Sequence, residues 1–139
     1  MLSVLTAAIY NKLANDATLT ALLATYRSNP AIFTADLIPE DALMPYVVLD
    51  NTWAQVDIGA KDNALDREIS RDIRVYILRR YSIQQLEAIV ERIRVLLHRV
   101  VLTVTGYTNI ISIVKGPITA PREDHAIGAV LQVTHTLTT

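Results

Sequence analysis

Apolar residues recur along this chain at two different periods, and the points where the period changes divide it into elements. Leu2, Leu5, Ile9 and Leu13 share one helical face, with Ser3 placed to cap the first turn, so residues 3–14 read as a helix. Asn15-Asp16 breaks it, and Asp16 or Thr18 caps a second, short helix carrying Leu19, Leu22 and Leu23. The two form a helical hairpin whose leucine stripe belongs to a core. Pro30, Pro39 and Pro45 then punctuate polar sequence, so residues 27–45 read as loop with a brief extended piece at 31–33.

Pro45-Tyr46-Val47-Val48-Leu49 opens on a proline and continues β-branched and aromatic, which predicts a strand over 46–53. Hydrophobicity fades from 54 to 66, around Gly59 and Lys61-Asp62-Asn63, and this stretch reads as a long surface loop. Ile69, Ile73, Val75 and Ile77 then alternate with Ser70, Asp72 and Arg74, the pattern of a strand over 69–78 with one buried face. Arg71 and Arg79 share the apolar parity, so the buried stretch is expected to centre on 73–77.

The strongest signal follows. Ser82 and Gln85 stand at capping-box spacing, and Ile83, Leu86, Ile89, Val90, Ile93, Leu96 and Leu97 make one apolar stripe. This predicts a helix over 83–99. Beyond it come strands at 100–105 and 110–114, a turn at Gly106, a bulge or bend at Gly116-Pro117 and a polar turn at 122–126. A last strand puts Ile127, Ala129, Leu131, Val133 and Leu137 on one parity. The order α, α, β, β, α, β, β, β implies a single α+β domain over residues 1–139. Its largely antiparallel β-sheet is packed by one long helix plus the N-terminal helical hairpin.

Composition narrows the classes. At 139 residues, 51% hydrophobic and 19% charged, the chain is long and apolar enough for one self-sufficient core, which argues against disorder. The absence of cysteine excludes disulfides, thiolate zinc sites and a cysteine nucleophile. Residues 1–11 are uncharged but too short to span a bilayer and lack a basic leader, so the chain reads as soluble and unexported. The net charge of −1 hides an asymmetry: residues 1–66 carry three Lys/Arg against eight Asp/Glu, and residues 67–139 carry ten against six. Such a split suits either complementary contacts between copies or two faces of one domain.

Candidate chemistry is thin. Four scattered glycines make no phosphate loop or dinucleotide fingerprint, and no serine sits in a nucleophile elbow. His98, near the end of the long helix, suits the helix dipole. Glu123-Asp124-His125 reads as a hairpin turn before it reads as a metal site, because neighbouring strand residues point to opposite faces. His135, on the apolar parity of the last strand, reads as a core or interface histidine. No catalytic, cofactor-binding or metal-binding residues are expected. Arg67, Arg71, Arg74, Arg79 and Arg80 make one region basic, but Glu68 and Asp72 dilute it and interleaved surface aromatics are lacking. Pairing with carboxylates is therefore preferred to sequence-specific nucleic-acid binding.

With the elements in order, the chain resembles the tail-terminator or tail-completion proteins of siphophages and related prophages, the minor tail proteins that cap the tail tube. The resemblance is carried by the helix and break in "LANDATLTALL", the proline-tyrosine strand start in "MPYVVLD", the strand, turn and long helix in "RDIRVYILRRYSIQQLEAIVERIRVLL", and the closing hairpin. It departs at Leu78-Arg79-Arg80, where the family often has an aromatic followed by a small residue. The resemblance implies a non-enzymatic subunit of a homohexameric ring at the head–tail junction of the virion, assembled in the host cytoplasm without cofactors. Its partners would be itself, the tail-tube protein and the head-completion or connector protein. DNA would pass through the ring, and no membrane would be involved. A head-completion or stopper subunit, or a tail-tube subunit, is the alternative within the same virion. The expected subunit interface pairs Asp57, Asp62 and Asp66 with Arg74, Arg79 and Arg80, supported by Trp53, Val56 and Ile58 of the long loop.

Overall fold

The computed structural model describes residues 2–34, 38–57, 67–78, 80–119 and 126–138. Helix α1 (Leu2–Ala14) buries Leu5, Ile9 and Leu13 completely, as its periodicity requires. Asp16 caps helix α2 (Ala17–Leu22), its carboxylate accepting the Leu19 N–H at 2.8 Å. The chain then makes a two-residue hairpin from β1 (Thr25–Tyr26) to β2 (Asn29–Pro30), turning through Arg27 and Ser28 at φ of 48° and 68°. The sequence alone predicts loop from residue 27 onward. Turns of this kind are usually marked by Asn-Gly, and Arg-Ser gives no such signal.

Strand β3 (Ile32–Phe33) pairs in parallel with β4 (Tyr46–Asp57), which pairs antiparallel with β5 (Arg67–Leu78). Helix α3 (Ile83–Leu97) follows, with Ser82 Oγ accepting the Gln85 N–H at 3.4 Å. Strands β6 (Val101–Val104), β7 (Tyr107–Thr119) and β8 (Ala126–Thr138) complete a six-stranded sheet in the order β3-β4-β5-β8-β7-β6. Every pair in it except β3–β4 is antiparallel. The fold is α+β. Strand β8, last in sequence, lies at the centre between β5 and β7.

The helices lie against one sheet face. Ile69, Ile73, Val75 and Ile77 of β5, Leu131, Val133 and Leu137 of β8, and the α3 stripe from Leu86 to Leu97 form one buried cluster with α1, whereas Ile83, at the head of the expected stripe, is exposed. On the other face Ser70 and Thr134 meet through their hydroxyls at 3.1 Å, and Gln132 is exposed. An aromatic ladder crosses this face at one end. Tyr26, Phe33, Tyr46 and Tyr76 follow one another at centroid spacings of 5.5, 5.6 and 5.7 Å. Such tilted and edge-to-face pairs add about 0.5–1.5 kcal/mol each beyond burial. Gly128 of β8 ends the ladder, since a Cβ there would stand 2.8 Å from the Tyr76 ring.

Three expectations change. The strand expected over 46–53 runs to Asp57, because 53–57 keep pairing with 67–71; only residues 58–66 of the expected loop lie outside the described residues. The alternation fades in the sequence because a bulge interrupts it: Leu49 pairs with Ile73 but Trp53 with Arg71, so β4 carries two extra residues. Secondly, Arg71 does not bound the buried stretch of β5. It is itself buried, 2% exposed, between Ile69 and Ile73. Thirdly, α3 ends at Leu97, because Arg99 turns left-handed (φ 57°) and its N–H reaches the Ser112 carbonyl at 2.6 Å. The bend expected at Gly116-Pro117 is a register shift between Lys115 and Ile118. Gly116 holds it at φ 102°, a conformation that disfavours any side chain, and a Cβ would approach the Val130 carbonyl to 3.0 Å.

Candidate assembly surfaces

Three polar side chains, Arg71, Ser112 and His135, are buried among the described residues. Arg71 donates to the Thr6 hydroxyl at 2.6 Å and to the Asp50 carbonyl at 2.8 Å. His135 is fully buried, with Nδ1 2.8 Å from Ser112 Oγ. Burial, and then the nearby Arg71 charge, lower its pKa to about 4, so the ring is neutral. Its place agrees with the core reading. These groups lie inside the core, where they tie β5, β7, β8 and α1 together. Among the described residues no group of three or more His, Cys, Asp or Glu is arranged to hold a metal, and no helix is long and apolar enough to cross a membrane. Glu123, Asp124 and His125 lie outside the described residues.

His98 stands at the helix end, as its position in the sequence suggests, and its ring also reaches the sheet. It is the C-cap residue of α3, and its Nδ1 accepts the Val114 N–H at 3.0 Å. Arg94, one turn earlier, donates to the carbonyls of Val114 (3.2 Å) and Gly116. Strand β6 pairs with β7 only as far as Ile111, so the edge of β7 beyond it would otherwise offer free backbone groups. Side chains from the end of α3 close it, which blocks edge-to-edge pairing there.

The sequence-expected interface residues fare unequally. Arg74 lies on the face away from the helices and holds Asp50 at 3.2 Å within the subunit. Tyr76 first, and Asp50 and Asp72 less strongly, raise its pKa. Asp50 therefore serves both faces: its carbonyl receives Arg71 and its carboxylate receives Arg74, at the bulge of β4. The sequence reading counted Asp50 only as one acidic residue among eight. Arg80 is exposed and rests over the Tyr81 ring at 5.3 Å. Trp53, Val56 and Asp57 occupy β4 positions opposite Arg71, Glu68 and Arg67. Ile58, Asp62, Asp66 and Arg79 lie outside the described residues.

Two surface features went unseen in the sequence. A groove of about 500 Å³ opens between the start of α3 and the end of β7, lined by Ile83, Leu86, Val90, Pro117, Ile118 and Ile127 among others, with Glu87 and Glu91 also on its walls. Ile83 is 58% exposed and Ile118 67%. At the far end of α3 a second depression of about 460 Å³ lies between α1, α3 and β6. Its lining includes Ala8, Lys12, Asp16, Leu96 and Val101. Asp16 is already engaged there, accepting from Arg92 Nε and Nη2 at 2.8 and 2.7 Å, and this bond is the main reason its pKa falls to about 2.

No protein-family model matches the chain, and no curated protein matches it either. A solved structure described as the virion of a native gene transfer agent particle contains a chain of the same fold, with a TM-score of 0.82 at 19% sequence identity. The match covers 99% of this chain and 97% of that one. The fold is one found in a gene transfer agent virion. At that identity the likeness speaks for the whole arrangement of helices and strands and for nothing finer.

Proposed function

We propose that this chain is a structural subunit of a phage-like virion, forming a ring that ends the tail tube and joins it to the head connector. The observation that carries the reading is the end-to-end likeness to a chain of a gene transfer agent virion. The proline-tyrosine strand start at Pro45-Tyr46 and the long helix after β5 add the resemblance to tail terminators. The role is one of surfaces, without a reaction of its own. The ring is a homohexamer, in contact with the tube protein on one side and a head-completion protein on the other, with DNA passing through it. Arg80, together with Asp57, Asp62, Asp66 and Arg79, belongs to the contacts between subunits. Arg74 takes part only by sharing or releasing Asp50.

The test is assembly. Purified protein examined by native mass spectrometry and negative-stain microscopy is expected to give closed six-membered rings, and adding it to polymerising tube protein is expected to fix tail length. Open filaments of the pure protein would instead make it a tube subunit. A protein that binds the head connector but leaves tail length unregulated would make it a head-completion subunit.

A further inference from the structure

A closed ring requires each subunit to offer two different patches, one for each neighbour. Resting on the ring reading, the two ends of α3 supply a matched pair. The groove at the helix start is apolar at Ile83, Leu86, Val90 and Ile118, and its walls carry exposed Glu87 and Glu91. Glu91 is partly answered by Arg94 at 3.6 Å, while Glu87 has no ion-pair partner among the described residues. Arg80 stands ahead of the helix and does not line the groove.

The other end is its complement in sign. Val101, 66% exposed on β6, stands opposite Ile111 of β7, itself 44% exposed, so the pair makes an exposed apolar spot on the two outermost strands. Exposed Lys12 lines the depression beside Val101, and exposed Arg99 precedes it by two residues. The carboxylate in that depression, Asp16, is taken by Arg92, so it does not cancel Lys12 and Arg99 completely. The two ends lie about 20 Å apart along α3. An apolar groove with an acidic wall and an exposed apolar pair with basic neighbours, towards opposite ends of one helix, cannot satisfy each other within one subunit. Large exposed apolar residues rimmed by charge mark interaction sites, and opposite charge fixes orientation and register between partners.

We propose that Val101 and Ile111 of one copy seat in the Ile83–Ile118 groove of the next copy, with Lys12 and Arg99 facing Glu87 and Glu91, so that the chain associates head to tail. The absence of native cysteine makes the contact directly testable. A variant carrying both Val101→Cys and Ile118→Cys, positions exposed enough to leave folding intact, is oxidised under conditions where the ring is populated. A reducible ladder ending at the ring size is expected, with each single-cysteine variant staying monomeric on a denaturing gel. Dimers from Ile118→Cys alone would mean a two-fold contact and overturn the proposal. Intact rings by native mass spectrometry with no ladder would also overturn it, while leaving the ring reading standing; no rings at any concentration would sink both. A charge exchange gives an independent reading. Glu87→Lys should weaken self-association several-fold at low salt, and adding Lys12→Glu and Arg99→Glu in the same chain should recover it. Failure to recover, with all variants folded by circular dichroism, would count against the pairing of these ends.

Discussion

Arg71 and His135 lie on the same buried face of adjoining strands, one pairing step apart, since Arg71 stands opposite Val133 and Ile69 opposite His135. Arg71 Nε and His135 Nε2 both lack a hydrogen-bond partner among the described residues. The core thus holds a fixed cation beside an imidazole that must stay neutral.

Acid should therefore destabilise the fold through His135. Its folded pKa, about 4, lies below the ordinary 6.5, so between these values the unfolded chain binds the extra proton. Stability is full above about pH 6.5, falls by up to roughly 1.4 kcal/mol per pH unit, and levels off below about 4. His135→Gln, which cannot titrate, should flatten this part of the curve in urea unfolding followed from pH 7 to 4. An unchanged slope would remove His135 as the cause.

Replacing Arg71 should separate the charge from the packing. Arg71→Ala removes two hydrogen bonds and leaves a void, with an expected loss of about 2–5 kcal/mol. Arg71→Met keeps much of the volume and should cost far less. In the Met variant His135 should titrate at higher pH by NMR, because burial remains while the neighbouring charge is gone. An unmoved His135 titration would show that the guanidinium does not act on it.

Asp16 and Arg92 tie the cap of α2 to the long helix across 76 positions of sequence. Asp16→Ala should cost about 1–2 kcal/mol through the lost cap, plus a smaller amount for the ion pair. Asp16→Asn keeps an acceptor for the Leu19 N–H and should cost less. The folded pKa of about 2 lies below the ordinary 3.8. The pair's contribution is therefore complete above about pH 3.8 and lost as pH falls through 2, a window distinct from that of His135. A double-mutant cycle with Arg92→Ala, read by chemical denaturation, gives the coupling.

Arg94 and His98 close the edge of β7, so removing both should open it. The double variant Arg94→Ala/His98→Ala is expected to stay folded, since most of the α3 stripe and its packing are untouched. It should show faster hydrogen exchange at the Val114 amide and a greater tendency to aggregate on storage. Wild-type exchange at Val114 would mean that the edge is protected by something else.

Features carried by local pattern could be read from the sequence. The α3 stripe, its Ser82 cap, the Asp16 cap and the bend at Gly116 all depend on residues a few positions apart. Arg71 could not be read that way. Its acceptors, Thr6 and Asp50, lie 65 and 21 positions away, and an arginine on an apolar parity ordinarily signals the end of burial. The extent of β4 was hidden because the bulge after Leu49 breaks the alternation. The groove at the start of α3 was equally hidden. Its other wall comes from Pro117 and Ile118, which only the folded sheet brings beside Ile83.

The central position of β8 bears on the order of events during folding. The pairs β4–β5 and β7–β8 join strands near in sequence, but β5–β8 unites Leu78 with Ala126 and Arg67 with Leu137. That union must enclose α3, β6 and β7 within a long loop, whose closure entropy is lost before the central pairing returns any free energy. Folding is expected to be slow for a chain of this size. Variants in the β5–β8 seam, such as Ser70→Ala or Thr134→Ala at the hydroxyl contact, would then alter the folding limb of a chevron more than variants in α1 do. A newly made chain would pass through a state in which two separate ribbons expose the edges that later meet, and synthesis faster than that meeting would favour aggregation over the native fold.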